Sequence, residues 1–132
     1  MKITVDTNFL ISATQWDNSV CQKLLIKLMQ ESVEIFTTKE ILDECVEVLE
    51  RDFQLQKEES ERIVEKLLLI MKLIETTSRV NIVTEDQDDN KIIECALDSQ
   101  SEYIITYDKH LLKLKEYRGI RTITPEEARN LI

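Results

Sequence analysis

Four acidic residues occupy positions from which their side chains could act together on a phosphate. Asp6 and Asp108 each follow a short apolar segment with the β-branched residues typical of a strand. Glu44 and Asp89 fall on or beside the apolar stripes of two segments with helical periodicity. If the four carboxylates converge, their repulsion would protonate some of them unless a cation is bound. Oxygen ligands without Cys or His select Mg²⁺ or Mn²⁺, and a carboxylate-held ion that activates water is typical of metal-dependent nucleases.

Each of these acids, taken alone, also has an ordinary structural explanation. An Asp at a strand end or a helix start commonly caps the helix, and a Glu on a helix is commonly solvated. The spacing does not decide between capping and metal binding, because it does not establish that the four side chains meet.

The elements that would position these acids alternate between strands and helices. This order predicts an α/β fold with a parallel sheet and right-handed crossovers, in a single domain over residues 1–132. In such sheets, ligands bind at the carboxyl ends of the strands, near a reversal of strand order. The predicted strands are residues 2–5, 33–36, 80–83, 103–106 and 121–123. The predicted helices are residues 18–29, 40–53, 57–75, a helix that starts at 88 or 89 and ends at 99, 109–116 and 125 onward.

Some helix starts and turns have local signals of their own. Thr37 followed by Glu40 is typical of a capping box. Thr124, with proline next and glutamate three residues later, predicts the start of the last helix. Gly119, the only glycine, is expected to turn the chain into the last strand.

The composition excludes several classes of protein. Seventeen basic and 26 acidic residues give a net charge of −9, which by itself argues against electrostatic binding of nucleic acid. A single glycine excludes a glycine-rich phosphate loop, so a metal ion would have to hold a phosphate. Cys21, Cys45 and Cys95 are too widely spaced for a zinc site or a disulfide framework and fit a core. Without a signal-peptide pattern or a membrane-length apolar run, the chain is expected to be cytoplasmic.

Five blocks of the sequence resemble the PIN domain family of ribonucleases, in the order in which that family has them. They are VDTNFLISA, TTKEILDECVEVL, DQDDNKIIECAL, SEYIITYDKHLLKL and RTITPEEA, and they cover nearly the whole chain. Asp6, Glu44, Asp89 and Asp108 stand at the acidic positions of the family's motifs. The resemblance is to single-domain bacterial and archaeal members, many of which are the toxin of a toxin–antitoxin pair.

The resemblance implies a three-layer α/β/α sandwich around a central, mainly parallel sheet. It implies Mg²⁺- or Mn²⁺-dependent endonucleolytic cleavage of single-stranded RNA, with these four acids as both catalytic residues and metal ligands. It further implies an antitoxin protein as a partner and a homodimer.

Polar neighbours of the acids have two possible roles each. Thr7 and Thr106 could hold a carboxylate or a phosphate through their hydroxyls, and Asn8 could orient Asp6 or a metal-bound water. N-capping and turn formation explain the same residues equally well.

Two residues depart from the usual pattern of the family. Tyr107 stands where a glycine is common, and its ring would narrow the substrate groove or stack on a base. His110, the only histidine, stands where relatives often have a further Asp, which leaves open whether one or two metal ions bind. His110 could contact phosphate, donate a proton to the leaving oxygen, or be a solvated surface residue.

Lysines near the acids would supply the phosphate affinity that the net charge does not. Lys39, Lys91 and Lys109 are predicted to contact the substrate. The acidic excess also fits a basic partner segment that lies across the cleft, as an antitoxin would provide.

The predicted helix 57–75 has a broad apolar stripe, extended by Leu68, Leu69 and Leu73. We interpret this stripe mostly as core, with dimerisation or antitoxin docking as a secondary use.

Two other functions fit the sequence less well. One is a PIN-like binding or scaffold module without catalysis, and the intact acids count against it. The other is a different Mg²⁺-dependent phosphate enzyme, such as a phosphatase or a phosphoacceptor receiver, and the Thr-Tyr-Asp sequence after a late strand fits a receiver poorly.

Overall fold

A six-stranded sheet flanked by helices forms the framework of the computed structural model, which describes residues 1–132. The strand order is 3-2-1-4-6-5 in chain numbering, and all neighbours are parallel except the last pair. This architecture confirms the predicted α/β fold. The strands are β1 (Lys2–Val5), β2 (Glu34–Thr37), β3 (Met71–Leu73), β4 (Tyr103–Ile105), β5 (Glu116–Tyr117) and β6 (Ile120–Ile123). The helices are α1 (Thr7–Gln15), α2 (Val20–Gln30), α3 (Lys39–Asp52), α4 (Lys57–Ile70), α5 (Asp89–Ser99), α6 (Lys109–Leu112) and α7 (Pro125–Leu131).

The order of the strands reverses between β1 and β4. From β1 the chain adds β2 and β3 on one side of the sheet, then returns to add β4 and β6 on the other. In open α/β sheets such a reversal leaves a crevice at the carboxyl ends of the strands, where ligands bind. Asp6 follows β1 directly and Asp108 follows β4 within three residues, so both acids lie at this crevice.

The hydrophobic core lies between the sheet and its helices. Ile3 of β1 and Ile105 of β4 are completely buried at the middle of the sheet. Cys21, Cys45 and Cys95 are buried, which confirms that they are core residues. No helix combines the length and the apolar composition that a membrane span requires.

The third strand lies elsewhere than predicted. Helix α4 ends at Ile70, and Met71 pairs with Ile35 of β2, so residues 71–73 form an edge strand instead of continuing the helix to residue 75. The apolar periodicity continues across this boundary, which is why the sequence pattern did not separate the strand from the helix.

Residues 80–83 form a loop, so the strand predicted there was wrong. The amides of Ile82 and Val83 donate to Asn90 Oδ1 at 3.0 and 2.9 Å, and Asn90 Nδ2 donates to the Val83 carbonyl at 2.9 Å. A side chain of α5 therefore satisfies the backbone groups that a neighbouring strand would otherwise pair.

The cap of the last helix agrees with the prediction, and the cap of α3 differs from it by one residue. Thr38, not Thr37, caps α3 by accepting a hydrogen bond from Ile41 N at 3.2 Å. Because Thr37 belongs to β2, the helix starts one residue later than its capping-box signal indicated. The last helix begins as predicted, with Thr124 Oγ1 accepting from Glu127 N at 3.2 Å.

Helix α6 ends at Leu112, earlier than predicted, and the chain then forms the β5–β6 hairpin. Arg118 and Gly119 form its two-residue turn, with φ angles of 49° and 84°. Positive φ at both positions is what a type I′ turn requires, so the predicted turn at Gly119 is confirmed.

The apolar stripe of α4 is buried at only part of its width. Leu67 is buried in the core, but Leu68, Leu69 and Leu73 are 39%, 85% and 52% exposed. The interpretation of this stripe as mostly core is therefore wrong for these three leucines. They lie on α4 and on β3, the edge strand, where the sheet ends.

Candidate metal centre

A small cavity at the carboxyl ends of β1 and β4 is lined almost entirely by polar and acidic residues. Its volume is about 50 Å³, and Ile92 is its single hydrophobic lining residue. All four acids proposed from the sequence line it, so the fold brings together side chains from four segments of the chain. The residues of this acidic cavity are Asp6, Thr7, Asn8, Glu44, Asp86, Asp88, Asp89, Ile92 and Asp108.

Asp6 has a structural role in addition to its place in the cavity. As the N-cap of α1, its Oδ1 accepts a hydrogen bond from Phe9 N at 2.9 Å, and its Oδ2 accepts one from the Thr106 hydroxyl. Burial raises the pKa of Asp6 to about 6, against these two hydrogen bonds, which lower it. The charges of Asp108 and Glu44 contribute to this increase, after burial.

Thr106 connects the two acids at the strand ends. Its hydroxyl donates to Asp6 and accepts a hydrogen bond from Asp108 N at 2.9 Å. Asp108 in turn caps α6, where its Oδ1 accepts from His110 N at 2.7 Å and from Leu111 N at 3.3 Å. The capping and metal-binding interpretations of these acids are thus compatible, since each cap uses only some of the lone pairs that the two carboxylate oxygens offer.

Three carboxylates approach closely enough to share one ion. Asp86, Asp89 and Asp108 each place an oxygen within 4.8 Å of the other two. Asp89 is only 8% exposed, and its Oδ2 is buried without a hydrogen-bond partner. Burial, followed by the charge of Asp108, raises the pKa of Asp89 to about 8.

These three acids fit a hard divalent cation. A buried carboxylate oxygen without a partner is costly, and a cation would compensate both for its burial and for the repulsion from Asp108. The donors are oxygen atoms alone, which favours Mg²⁺ or Mn²⁺. Asp86 was not predicted as a site residue because it lies on no apolar stripe. The available signal was its position three residues before Asp89 in an acidic run.

The sequence also matches a described protein family. The family model of the PIN domain matches residues 2–110. The chain belongs to the PIN domain family. The uncharacterized protein MJ1680 of Methanocaldococcus jannaschii is 30% identical to it over 120 residues, which cover 88% of this chain and 76% of that protein.

Two solved structures share the PIN fold of this chain. The structure of VapBC2 from Rickettsia felis, bound to a DNA fragment from their promoter, matches with a TM-score of 0.69 and 15% identity, over 94% of this chain and 98% of that one. The structure of PAE2754 from Pyrobaculum aerophilum matches with a TM-score of 0.65 and 17% identity, over 99% and 95% of the two chains.

Glu44, the fourth acid of this PIN domain, is paired with a lysine. Lys91 Nζ lies 3.2 Å from Glu44 Oε2 and 3.1 Å from Asp88 Oδ1. The ammonium therefore balances two carboxylates at the rim of the acidic cavity. Because these two acids already neutralise its charge, Lys91 would attract a substrate phosphate less strongly than a free lysine.

The other two lysines proposed to contact the substrate lie outside the acidic cavity. Lys39 Nζ forms an exposed ion pair with Asp43 Oδ2 at 2.7 Å. Lys109 is exposed beside Asp108 and has no carboxylate within ion-pair distance.

The remaining polar neighbours differ in their surroundings. Thr7 lines the cavity with a buried hydroxyl that has no hydrogen-bond partner. Asn8 lines it from an exposed position, without a side-chain hydrogen bond to Asp6. His110 is half-buried next to the cap of α6 and does not line the cavity.

Tyr107 contacts helix α7. Its hydroxyl donates to Glu126 Oε2 at 2.7 Å, while about half of the side chain remains exposed. Burial and the hydrogen bond to Glu126 raise the pKa of Tyr107 well above its usual range. The hydroxyl is therefore a neutral donor, and the ring has a fixed position beside Asp108.

Replacing Thr106 with valine is expected to weaken the metal centre. The substitution removes the hydrogen bonds to Asp6 and to Asp108 N, so we expect about 1–2 kcal/mol lower stability and a roughly tenfold weaker affinity for Mn²⁺. Thermal unfolding and calorimetric Mn²⁺ titration measure the two effects. Thr122→Val is the control, because the Thr122 hydroxyl is buried without a partner. Unchanged Mn²⁺ affinity in Thr106→Val would contradict this role.

Proposed function

We propose that this protein is a divalent-metal-dependent endoribonuclease that cleaves single-stranded RNA. The observation that supports this most is the convergence of carboxylates on one cavity at the strand-order reversal, with a buried Asp89 oxygen that lacks a partner. Membership of the PIN domain family supports the same reaction class. Asp86, Asp89 and Asp108 would hold Mg²⁺ or Mn²⁺, with Asp6 and Glu44 completing the site.

The side chains divide the work of hydrolysis between them. When bound, the divalent ion supplies Lewis-acid chemistry, which stabilises charge on the phosphate and makes water more acidic. The Asp6 carboxylate, which the Thr106 hydroxyl fixes by a hydrogen bond, would bind the ion or accept a proton from water. Lys91 reduces the negative charge of the rim, which lowers the repulsion that an approaching phosphate experiences.

The test uses a labelled single-stranded RNA incubated with purified protein in Mn²⁺ or in EDTA. We expect cleavage only with Mn²⁺, its loss in Asp6→Asn, and wild-type rates in Asp52→Asn, which alters an exposed acid paired with Arg51 at the end of α3. Cleavage in EDTA, or full activity of Asp6→Asn, would contradict the site assignment. Failure to cleave any RNA would favour the scaffold function instead.

An antitoxin partner forms part of this proposal. The similar Rickettsia felis structure is that of a VapBC2 complex with promoter DNA. The net charge of −9 and the acidic cavity suit a basic segment of a partner protein, which would cover the site in the cytoplasm until RNA cleavage is required. We expect the product of an adjacent gene to copurify with this chain and to inhibit RNA cleavage. A protein that purifies alone and is active when coexpressed with that product would contradict the pairing.

The exposed leucines of α4 and β3 lead us to propose a homodimer through this face. Leu69 is 85% exposed beside an edge strand, and both features favour association with a second copy. We expect Leu69→Lys to convert a dimer into a monomer in light scattering after gel filtration, with little change in Tm. Ile26→Lys, an exposed apolar residue of α2, is the control. A monomeric wild type, or a dimeric Leu69→Lys, would contradict the interface.

A further inference from the structure

A second polar cavity lies beside the acidic cavity, across Lys91. Its volume is about 140 Å³, and no hydrophobic residue lines it. Lys91 lines it on one side, while the same ammonium contacts Glu44 and Asp88 of the acidic cavity. The residues of this second cavity, called the Arg79 cavity below, are Thr38, Glu40, Thr76, Arg79, Lys91 and Glu94.

Helix α5 fixes the loop that carries Arg79. Asp98 Oδ2 accepts hydrogen bonds from Thr77 N at 2.6 Å and from Ser78 N at 3.0 Å. One turn earlier, Glu94 Oε2 accepts from Val80 N at 3.0 Å. The backbone on both sides of Arg79 is therefore attached to one face of the helix that also carries Asp89.

The guanidinium of Arg79 is anchored through one nitrogen only. Its Nη1 donates to the Ser78 carbonyl at 2.7 Å and to Thr76 at 3.2–3.3 Å, and lies 3.9 Å from Glu94 Oε1. Its Nε and Nη2 make no hydrogen bond, and the side chain is 70% exposed. The side of the guanidinium formed by Nε and Nη2 is the side that binds carboxylate or phosphate in a bidentate manner.

The two threonines of the cavity still have hydroxyl protons to donate. Thr38 Oγ1 accepts from Ile41 N, and Thr76 Oγ1 accepts from Arg79 Nη1, so the protein uses each oxygen as an acceptor. A hydroxyl that already accepts remains a donor toward a ligand. Two acids line this cavity. Glu94 accepts a hydrogen bond from Val80 N and forms an ion pair with Arg79, whereas Glu40 has neither a hydrogen bond nor an ion pair.

We infer that the Arg79 cavity binds a backbone phosphate of the RNA adjacent to the phosphate at the metal centre. Arg79, Thr38 and Thr76 offer charge and donors to its oxygens, and this inference rests on the proposed function. Thr38, the N-cap of α3, lines the Arg79 cavity, and Glu44 lines the acidic cavity. These two backbone positions are six residues apart, about 9 Å along the helix axis at 1.5 Å per residue. The two cavities are therefore close enough for one extended strand to pass both.

The test compares one RNA with copies in which a single phosphate near the cleavage site is a neutral methylphosphonate. When the methylphosphonate is at one particular position beside the cleavage site, we expect kcat/KM of the wild type to fall about 10- to 100-fold, because one charge-assisted bidentate contact is lost. Arg79→Ala is expected to cleave the unmodified RNA and this methylphosphonate RNA equally, at the rate at which the wild type cleaves the methylphosphonate RNA. Should the alanine variant fold poorly, Arg79→Gln is expected to give the same result. Arg62→Ala, which alters an exposed arginine of α4, should behave as the wild type.

Glu40→Gln should raise the affinity for RNA a few-fold, because it removes the unpaired negative charge of the Arg79 cavity.

The possible outcomes separate this inference from the proposed function. Retention of the wild-type preference by Arg79→Ala and Arg79→Gln would overturn the phosphate subsite, as would equal cleavage of every RNA by the wild type. If the wild type cleaves none of the RNAs in Mn²⁺, the proposed function fails and the subsite fails with it. The salt dependence of RNA binding gives a second readout, since loss of one phosphate contact lowers the slope of log K against log salt by about 0.7 for a single strand.

Discussion

Replacing Asp89 with asparagine is expected to reduce Mn²⁺-dependent RNA cleavage by about 1,000-fold or more. A bound ion supplies several kcal/mol of charge stabilisation in the transition state, and each ~1.4 kcal/mol corresponds to a tenfold change in rate. Asp89 has the buried oxygen without a partner and lies close to the carboxylates of Asp86 and Asp108, so an amide there removes a charge that no neighbour replaces. Single-turnover cleavage of labelled RNA measures the effect.

The stability of Asp89→Asn in EDTA shows whether the loss of cleavage comes from misfolding. Without metal, the neutral amide removes repulsion from Asp108, so we expect this variant to be at least as stable as the wild type in EDTA. Asp88→Asn, at the neighbouring position, loses one contact of Lys91 and should reduce cleavage by less than about tenfold. Equal losses in both variants would show that the rate follows the charge of the rim rather than ligands of an ion.

Metal-free protein is expected to lose stability as the pH is raised from about 4 to about 8. Asp89 has a folded-state pKa of about 8 and an unfolded-state pKa near 4, so the folded state binds more protons throughout this interval. Since unfolding then releases protons, the free energy of unfolding falls as the pH increases, and the loss is complete above pH 8. Asp6, with a pKa of about 6, adds to the fall between pH 4 and 6.

Manganese should reverse part of this loss. An ion at 100 times its Kd adds about 2.7 kcal/mol to the stability of the folded state, or roughly 10 °C in Tm for a domain of this size. Thermal scans between pH 5 and pH 8 in EDTA and in Mn²⁺ measure both effects, and Asp89→Asn should show a flatter pH dependence with little response to Mn²⁺. A wild-type Tm in EDTA that is constant or rises with pH would contradict the burial of these carboxyls.

The sequence alone predicted the strands that position the candidate site. β1 and β4 are short β-branched segments between polar residues, and helical periodicity located α3 and α5, so the positions of Asp6, Glu44, Asp89 and Asp108 followed from local pattern. These signals are reliable because the central strands are buried on both faces, which requires apolar runs.

The edge of the sheet and the loop before α5 could not be predicted in this way. β3 has three residues and continues the apolar stripe of α4 without a break, and residues 80–83 have a strand-like composition although Asn90 satisfies their backbone. Leu69 continues a stripe that reaches the core at Leu67, and only the end of the sheet at β3 exposes it. In each case contacts outside the segment itself, and not its local pattern, decide the outcome.

The details of the candidate site likewise depend on distant contacts. Lys91 and Glu44 are 47 residues apart, so the pairing that engages the lysine has no local signal. Asp86 belongs to an acidic run before α5, and the residue types in this run do not indicate which carboxylate faces the site. Only the folded loop shows that the carboxylate of Asp86 lies close to those of Asp89 and Asp108. The sequence thus predicted four acids that line one cavity, but not the arrangement of charge around them.

Anomalous diffraction from crystals grown with Mn²⁺ tests the central claim most directly. We predict a manganese peak within coordination distance of Asp89 Oδ2, with oxygens of Asp86 and Asp108 as its neighbours, and no such peak in crystals of Asp89→Asn. A wild-type crystal with no manganese between these three carboxylates, or with the ion only at other acids of the surface, would contradict the account.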